Sequence, residues 1–302
     1  MLSVACATVA AVLASATAPT TVRLTEDCPQ GVRLNGTSWK AGGHVLQLDG
    51  RTIQGLEIMR VDGLTLSGGT VRGRPGVRRA ALVRLSRNIL IDNMTFRDAV
   101  IGLQLSETQD VIVRNSQFTK VGDGLNGAVN QRVRIENNRF FDFEYRQSRC
   151  TLGEEDVREG MSRRECQAAG GAFQDGHHPD AIQLWRDEKR GPTSDITVIG
   201  NDINVDGQGI GTYGGRGAPA TNWRVENNKV HTSRFTNIFI HATDGVIIRN
   251  NEVARWPGSR RPFPNIVTRG ATNVINCGNR MIGARPAQEG GRPCTAKEKA
   301  VQ

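Results

Sequence analysis

Aromatic residues are scarce in this chain. They make up 5% of its 302 residues, and only two are Tyr. Apolar residues reach 37%. Both shortages exclude a thick globular core built on large side chains. Beyond the N-terminus no stretch has the ~18 consecutive apolar residues of a membrane-spanning helix. The six cysteines include no Cys-x-x-Cys and no Cys/His cluster at zinc spacing. No segment has the spacing of a calcium-binding loop. Motifs of nucleic-acid recognition are missing as well, although the formal charge is +9. Glycine, by contrast, is plentiful at 35 residues. Much glycine and few large side chains suit a thin, repetitive β-structure with many turns.

Residues 1–18 are uncharged and rich in Ala and Val. They end in Ala14-Ser15-Ala16 and Ala16-Thr17-Ala18. Small-x-small endings mark the cleavage site of an export leader, so export is expected. Cleavage there leaves Cys28, Cys150, Cys166, Cys277 and Cys294. Cys150 with Cys166, and Cys277 with Cys294, are the natural local pairs, and Cys28 is the expected unpaired thiol. An exported basic chain without nucleic-acid motifs points to an anionic partner. Acidic polysaccharide is the obvious class. No nucleic acid, no membrane span and a monomeric state are expected.

From Leu64 one pattern recurs: apolar-x-apolar-x-Asn/Gly-x-x-apolar. Copies start at Leu64, Ile89, Val111, Val133, Ile196, Trp223 and Val246, with steps of 25, 22, 22, 63, 27 and 23 residues. All but one step fit the period of a solenoid. Position five is Gly68, Asn93, Asn115, Asn137, Gly200, Asn227 and Asn250. Asn suits a stacked turn because it tolerates left-handed backbone and its amide can bond to the next rung. Position eight is Val71, Phe96, Phe118, Phe140, Ile203, Val230 and Val253, which reads as a core column. Another short strand precedes most copies, as in Ile101-Gly102-Leu103, Ile182-Gln183-Leu184 and Ile238-Phe239-Ile240. Short period-two strands joined by Asn and Gly turns argue for strands wound about one axis.

With these residues the chain resembles the pectate-lyase-like superfamily of right-handed parallel β-helix proteins, over about Val45 to Val253. The resemblance implies an all-β fold, a single-stranded right-handed parallel β-helix. Its activity does not follow, because function lives in the site. The expected organisation is a leader at 1–18, an N-terminal cap at 19–44, the β-helix at 45–253, and a C-terminal cap and tail at 254–302. The 63-residue step holds an insertion at about 144–175. It is charged, reads as partly helical around Glu154 to Ala169, and carries Cys150 and Cys166. A disulfide-stapled lid is expected there, since insertions in repeat proteins often map to the binding face.

The insertion ends at Gly176-His177-His178-Pro179-Asp180-Ala181-Ile182-Gln183-Leu184-Trp185. Alternate side chains of a strand face opposite sides. With Ile182 and Leu184 inward, Gln183 and Trp185 face outward, and His178 and Asp180 stand at the strand entrance. Aligning the equivalent strands gives three columns, one lying two residues before the inward apolar position, the others one and three residues after it. One holds Asp123, Asp180, Gln208 and Thr236. The next holds Asn126, Gln183, Gly211 and Phe239, and the last Ala128, Trp185, Tyr213 and His241. Four residues before the inward apolar position come Val121, His178, Asp206 and Arg234.

These residues suit proton abstraction from a uronate, which needs a base, a donor for the leaving oxygen, and cations for the carboxylate. The expected catalytic set is His178, Asp180, Tyr213 and Arg234. The expected substrate-binding set is Asp123, Asn126, His177, Gln183, Trp185, Arg186 and His241. Trp185 and Tyr213 offer flat faces to sugar rings. A lyase and a C5-epimerase fit equally, since they differ only in the fate of the carbanion. A hydrolase using Asp123 and Asp180 is the alternative, and a non-catalytic glycan-binding β-helix is another. Asp180-Ala181-Ile182-Gln183 resembles the Asp-Gly-Ile-Asp of polygalacturonase-type hydrolases, but Gln183 replaces the second carboxylate. The Asp-Asp pair, Gly-His-Gly and Arg-Ile-Lys motifs of those enzymes are absent, as is the Asp-Pro-His of alginate epimerases. The sequence specifies no cofactor. Calcium is a candidate through Asp180, Asp206 and nearby carbonyls.

Overall fold

Each copy of the repeat bonds to the copies before and after it, in register. Val111 pairs with Ile89 on one side and Val133 on the other, in parallel strands. Val133 pairs with Ile196 across the long step, so the insertion leaves the ladder unbroken. Ile196, Trp223 and Val246 continue it. The resulting computed structural model is a parallel β-solenoid of about nine turns. It describes all residues except 1, 10, 12, 14–17, 37–42, 145–148, 153–155, 160, 175–178, 188, 214–219, 234–235, 258, 260–262, 284–291 and 302.

Each turn contributes to three sheets. The first carries repeat positions one and three, such as Val133 and Ile135. The second carries position eight. There Phe96, Phe118 and Phe140 are fully buried, with ring centroids 5.0 and 4.6 Å apart and nearly parallel planes. The third sheet is built from the strand that precedes each repeat, including Asp180–Trp185, Gln208–Tyr213 and Ile238–His241. Its inward column runs Leu103, Leu125, Ile182, Ile210 and Ile238.

The two roles expected of position five are divided between neighbours. Position five supplies the left-handed backbone, with φ from 52° to 74° at Gly68, Asn93, Asn115, Asn137, Gly200, Asn227 and Asn250. The ladder of amides is one residue further on. Asn138, Asn201, Asn228, Asn251 and Asn279 are buried, and each of the first four donates its backbone N–H to the next side-chain oxygen at 2.9–3.0 Å. A left-handed residue turns its side chain away from the corner, so the following residue points in and satisfies buried backbone groups.

The solenoid extends beyond the expected boundaries of 45 and 253. Strands Ile266–Arg269, Thr272–Cys277 and Arg280–Ile282 add a further turn. It was hidden because Asn276 takes the place of Ile248 in the inward register. Strands at 21–24 and 44–47 extend the first sheet at the other end. In that turn Ile53 lies nine residues after His44, whereas Val71 lies seven after Leu64, and the corner holds Asp49 and Gly50.

Residues expected to form a leader lie against the first turn. Leu2–Val4 pairs with 22–24, and Val9 and Leu13 are buried. Cys6 is bonded to Cys28, with Cα atoms 5.3 Å apart. Cys28 is therefore not the unpaired thiol. The N-terminal strand brings Cys6 within bridging distance of it. Cys150–Cys166 and Cys277–Cys294 pair as expected.

The insertion is less helical than its sequence suggests. Arg149–Thr151 pairs antiparallel with Val157–Glu159 and with Ala172–Gln174. The helix is short, Arg163–Ala168, and starts at a capping box in which Ser162 and Glu165 bond reciprocally. Its buried Cys166 is tied to the central strand through Cys150.

Candidate functional site on the third sheet

The outward columns of the third sheet have the expected register. Asn126 is beside Gln183, Gln183 beside Gly211, and Gly211 beside Phe239. Ala128, Trp185 and Tyr213 form the next column. His241 is placed there by the pairing of Ile210 with Ile238, and Arg269 follows it on the next rung. Asp180 pairs with Gln208. His177, His178 and Arg234 lie outside the described residues.

The last column leans back over the one before it. Trp185 Nε1 donates to Gln183 Oε1 at 3.1 Å, and the indole stays 41% exposed while Gln183 is covered. Tyr213 lies across Gly211, where a Cβ would sit 2.4 Å from its ring. The missing side chain lets the phenol reach Gln208, to whose Oε1 it donates. His241 stacks on Phe239, with centroids 5.9 Å apart and planes 5° from parallel. The rings of Trp185, Tyr213 and Phe239 follow one another at 5.5 and 5.1 Å along the axis. A row of rings at about the rung spacing is a platform for successive sugars.

Asp180 does not stand in the open, as the strand-entrance reading placed it. It is 3% exposed at the corner between second and third sheets, with Asp123 and Gln208 on the neighbouring rungs. Asp180 donates its backbone N–H to Asp123 Oδ1 at 3.2 Å, and Asn126 Nδ2 donates to Asp123 Oδ2 at 3.3 Å. Asp123 thus braces the strand start and orients Asn126.

Burial and its neighbours set the protonation of the two titratable rings. Burial pushes the Tyr213 phenol up, and the Asp180 carboxylate pushes it further, so the phenol keeps its proton. Burial also holds His241 below its ordinary value of 6.5, with the charges of Arg186 and Arg269 acting in the same direction. His241 is therefore neutral at pH 7. Arg186 is fixed by a 3.5 Å bond from Nη1 to the Ala242 carbonyl.

Three contributors were not among the expected site residues. Gln208 was aligned with Asp180 but is an amide, and Phe239 was aligned without a role. Arg269 lay in the segment read as tail, although the alternation of Ile266-Val267-Thr268-Arg269 marks a strand. The calcium reading names Asp180, Asp206 and nearby carbonyls. Asp206 accepts a hydrogen bond from Ser233, and among the described residues no group of three His, Cys, Asp or Glu is arranged to hold a metal ion.

No protein-family model matches the chain, and no curated protein matches it. Among solved structures the chain is similar to an alginate lyase from Paenibacillus sp. str. FPU-7. The identity is 12% and the TM-score 0.43, over 92% of this chain and 94% of that one.

Proposed function

We propose that the chain is exported and acts on an acidic, uronate-containing polysaccharide, as a lyase or a C5-epimerase. The observation that carries this is the grouping around His241: a neutral imidazole near two guanidinium groups, on a platform of rings that includes a protonated phenol. Cys150–Cys166 and Cys277–Cys294, both outside residues 1–18, fit an oxidising compartment.

In this reading the uronate carboxylate faces Arg186 and Arg269. They stabilise the charge that spreads onto it when the C5 proton leaves. His241 takes that proton. In elimination, the C5–H electron pair becomes the C4–C5 double bond, the C4–O bond breaks, and Tyr213 protonates the departing oxygen. In epimerisation the C4–O bond stays intact and C5 is reprotonated from the opposite face. His178 and Arg234 were the base and cation expected from sequence. His241 and Arg269 fill the same chemical roles among the described residues.

The hydrolase reading is weaker. It needs two carboxyl groups flanking the bond, ~5 Å apart for retention and ~6.5–9.5 Å for inversion. Asp123 instead commits both oxygens to the protein. Product analysis on a panel of polyuronates separates the readings. Unsaturated non-reducing ends are expected from a lyase, and solvent-proton exchange at C5 without cleavage from an epimerase. New reducing ends without unsaturation would sink both in favour of a hydrolase. An unchanged polymer without exchange would leave only a glycan-binding role.

A further inference from the structure

Among the described residues, most arginines along this solenoid face an acid on their own or a neighbouring rung. Arg33 meets Glu57, Arg87 meets Asp62, Arg114 meets Asp92, and Arg132 meets Asp110. One groove gathers arginines that do not. It lies where the second sheet turns into the third, encloses about 590 Å³, and is lined by Arg72, Arg74, Arg78, Gln54 and Asp98 among others. Asp98, its one acid, is bridged by Arg72 at 2.8 Å and by Arg97 at 3.0 Å. Arg74 and Arg78 have no acidic partner among the described residues. Arg74 Nε is buried without a hydrogen-bond partner.

The groove is built, not frayed. Arg74-Pro75-Gly76-Val77 forms a tight turn, with Gly76 at φ 75° and Val77 N–H donating to the Arg74 carbonyl at 3.0 Å. The Arg74 side chain lies over Gly55, where a Cβ would come within 2.5 Å of Nε. Both features hold the guanidinium in place before any ligand arrives.

The groove also shares an edge with the candidate site. Arg79 is paired with Ile101, Ile101 with Asp123, and the Asp123 strand with that of Asp180. Three rungs separate Arg79 from Asp180, about 14 Å. A column of amides crosses the interval. Gln104 and Asn126 are half-buried and in register with the covered Gln183, and Arg79 Nη1 donates to Gln104 Oε1 at 3.1 Å. Amides bind hydroxyl groups, and unpaired guanidinium groups bind carboxylates.

We propose that the Arg74–Arg78 groove is a second binding site, which takes the carboxylates of a uronate chain laid along the third sheet and already held at Trp185. The inference rests on the polyuronate reading above. The test is calorimetric binding of galacturonate and mannuronate oligomers, each as trimer and decamer. The proteins are the wild type, Arg74→Gln/Arg78→Gln, and a control, Lys297→Gln/Lys299→Gln, which removes two exposed charges elsewhere. Thermal unfolding checks that each is folded. Wild type is expected to bind one decamer more tightly than its trimer. The arginine variant should lose on the order of tenfold for that decamer, with a flatter salt dependence, while the lysine control loses little. Decamer affinity that is unchanged in the arginine variant would overturn the proposal. So would an equal loss in the control, or no decamer binding by wild type. The readout does not need turnover. A length-dependent loss without any change to the polymer keeps the groove and removes the enzyme. Products without that loss do the reverse.

Discussion

At position 211 the lack of a side chain decides where an aromatic ring can lie. Gly211→Ala would place a Cβ 2.4 Å from the Tyr213 ring and push the phenol off Gln208. The expected result is a large fall in kcat toward the level of Tyr213→Phe, with thermal unfolding almost unchanged because the site is outside the core. Tyr213→Phe itself should lower turnover by about 10²–10⁴-fold. A wild-type kcat in both variants would remove Tyr213 from the chemistry. His241 gives a second reading at this scale. Only neutral imidazole can take a proton, and its titration point is held below 6.5. Activity should therefore be full above that point and fade as pH falls through it. Arg186→Gln removes one of the charges that depress it. The acid limb of the pH profile should then move upward toward 6.5, apart from any loss of affinity. A limb that stays in place would separate Arg186 from His241. Which residues share a column was legible from the period of two. Asp180 shares the parity of Ile182 and Leu184, so alternation also points it inward, against the strand-entrance reading.

The strand Asp180–Trp185 shows how much of an element the sequence specifies. Ile182 and Leu184 are inward and Trp185 is outward, as alternation requires. Trp185→Ala should raise KM or Kd by about 2–10-fold with little effect on kcat, because a stacking ring positions the sugar and moves no proton. A fall confined to kcat would contradict the platform role. Legibility failed where an element departs from the repeat's own chemistry. The last turn was missed because a polar Asn276 replaces an apolar residue, and with it went Arg269. The insertion was misread because its helical stretch is one short segment inside a small antiparallel sheet tied by Cys150–Cys166. Its charge pattern carries no information about strands held by a disulfide.

Across the whole molecule each turn touches only the turns on either side, so stability is a sum of neighbour terms and can differ from end to end. The buried amide row runs from Ser116 through Asn138, Asn201, Asn228 and Asn251 to Asn279. In the two earlier copies Gly69 and Met94 take the equivalent position. Asn228→Ala should cost about 1–3 kcal/mol in urea unfolding, since it strands the Asn201 backbone N–H inside the protein. Asn227→Gly should be near neutral, because glycine accepts the same left-handed backbone. Equal losses at the two positions would dissolve the distinction between them. A second buried row on another corner, in which Ser86 accepts from Val61 N–H, Asn130 from Thr108 and Thr193 from Asn130, supports the turns from 61 to 193, so softening is expected mainly in the turns before it. Hydrogen exchange should then be fastest in the early turns and slowest around 201–251. The arginine groove lies before the start of the Asn row and His241 lies alongside it. A glycan reaching both would clamp one to the other, and the protection it brings should rise most at residues 72–79, far from the reacting bond.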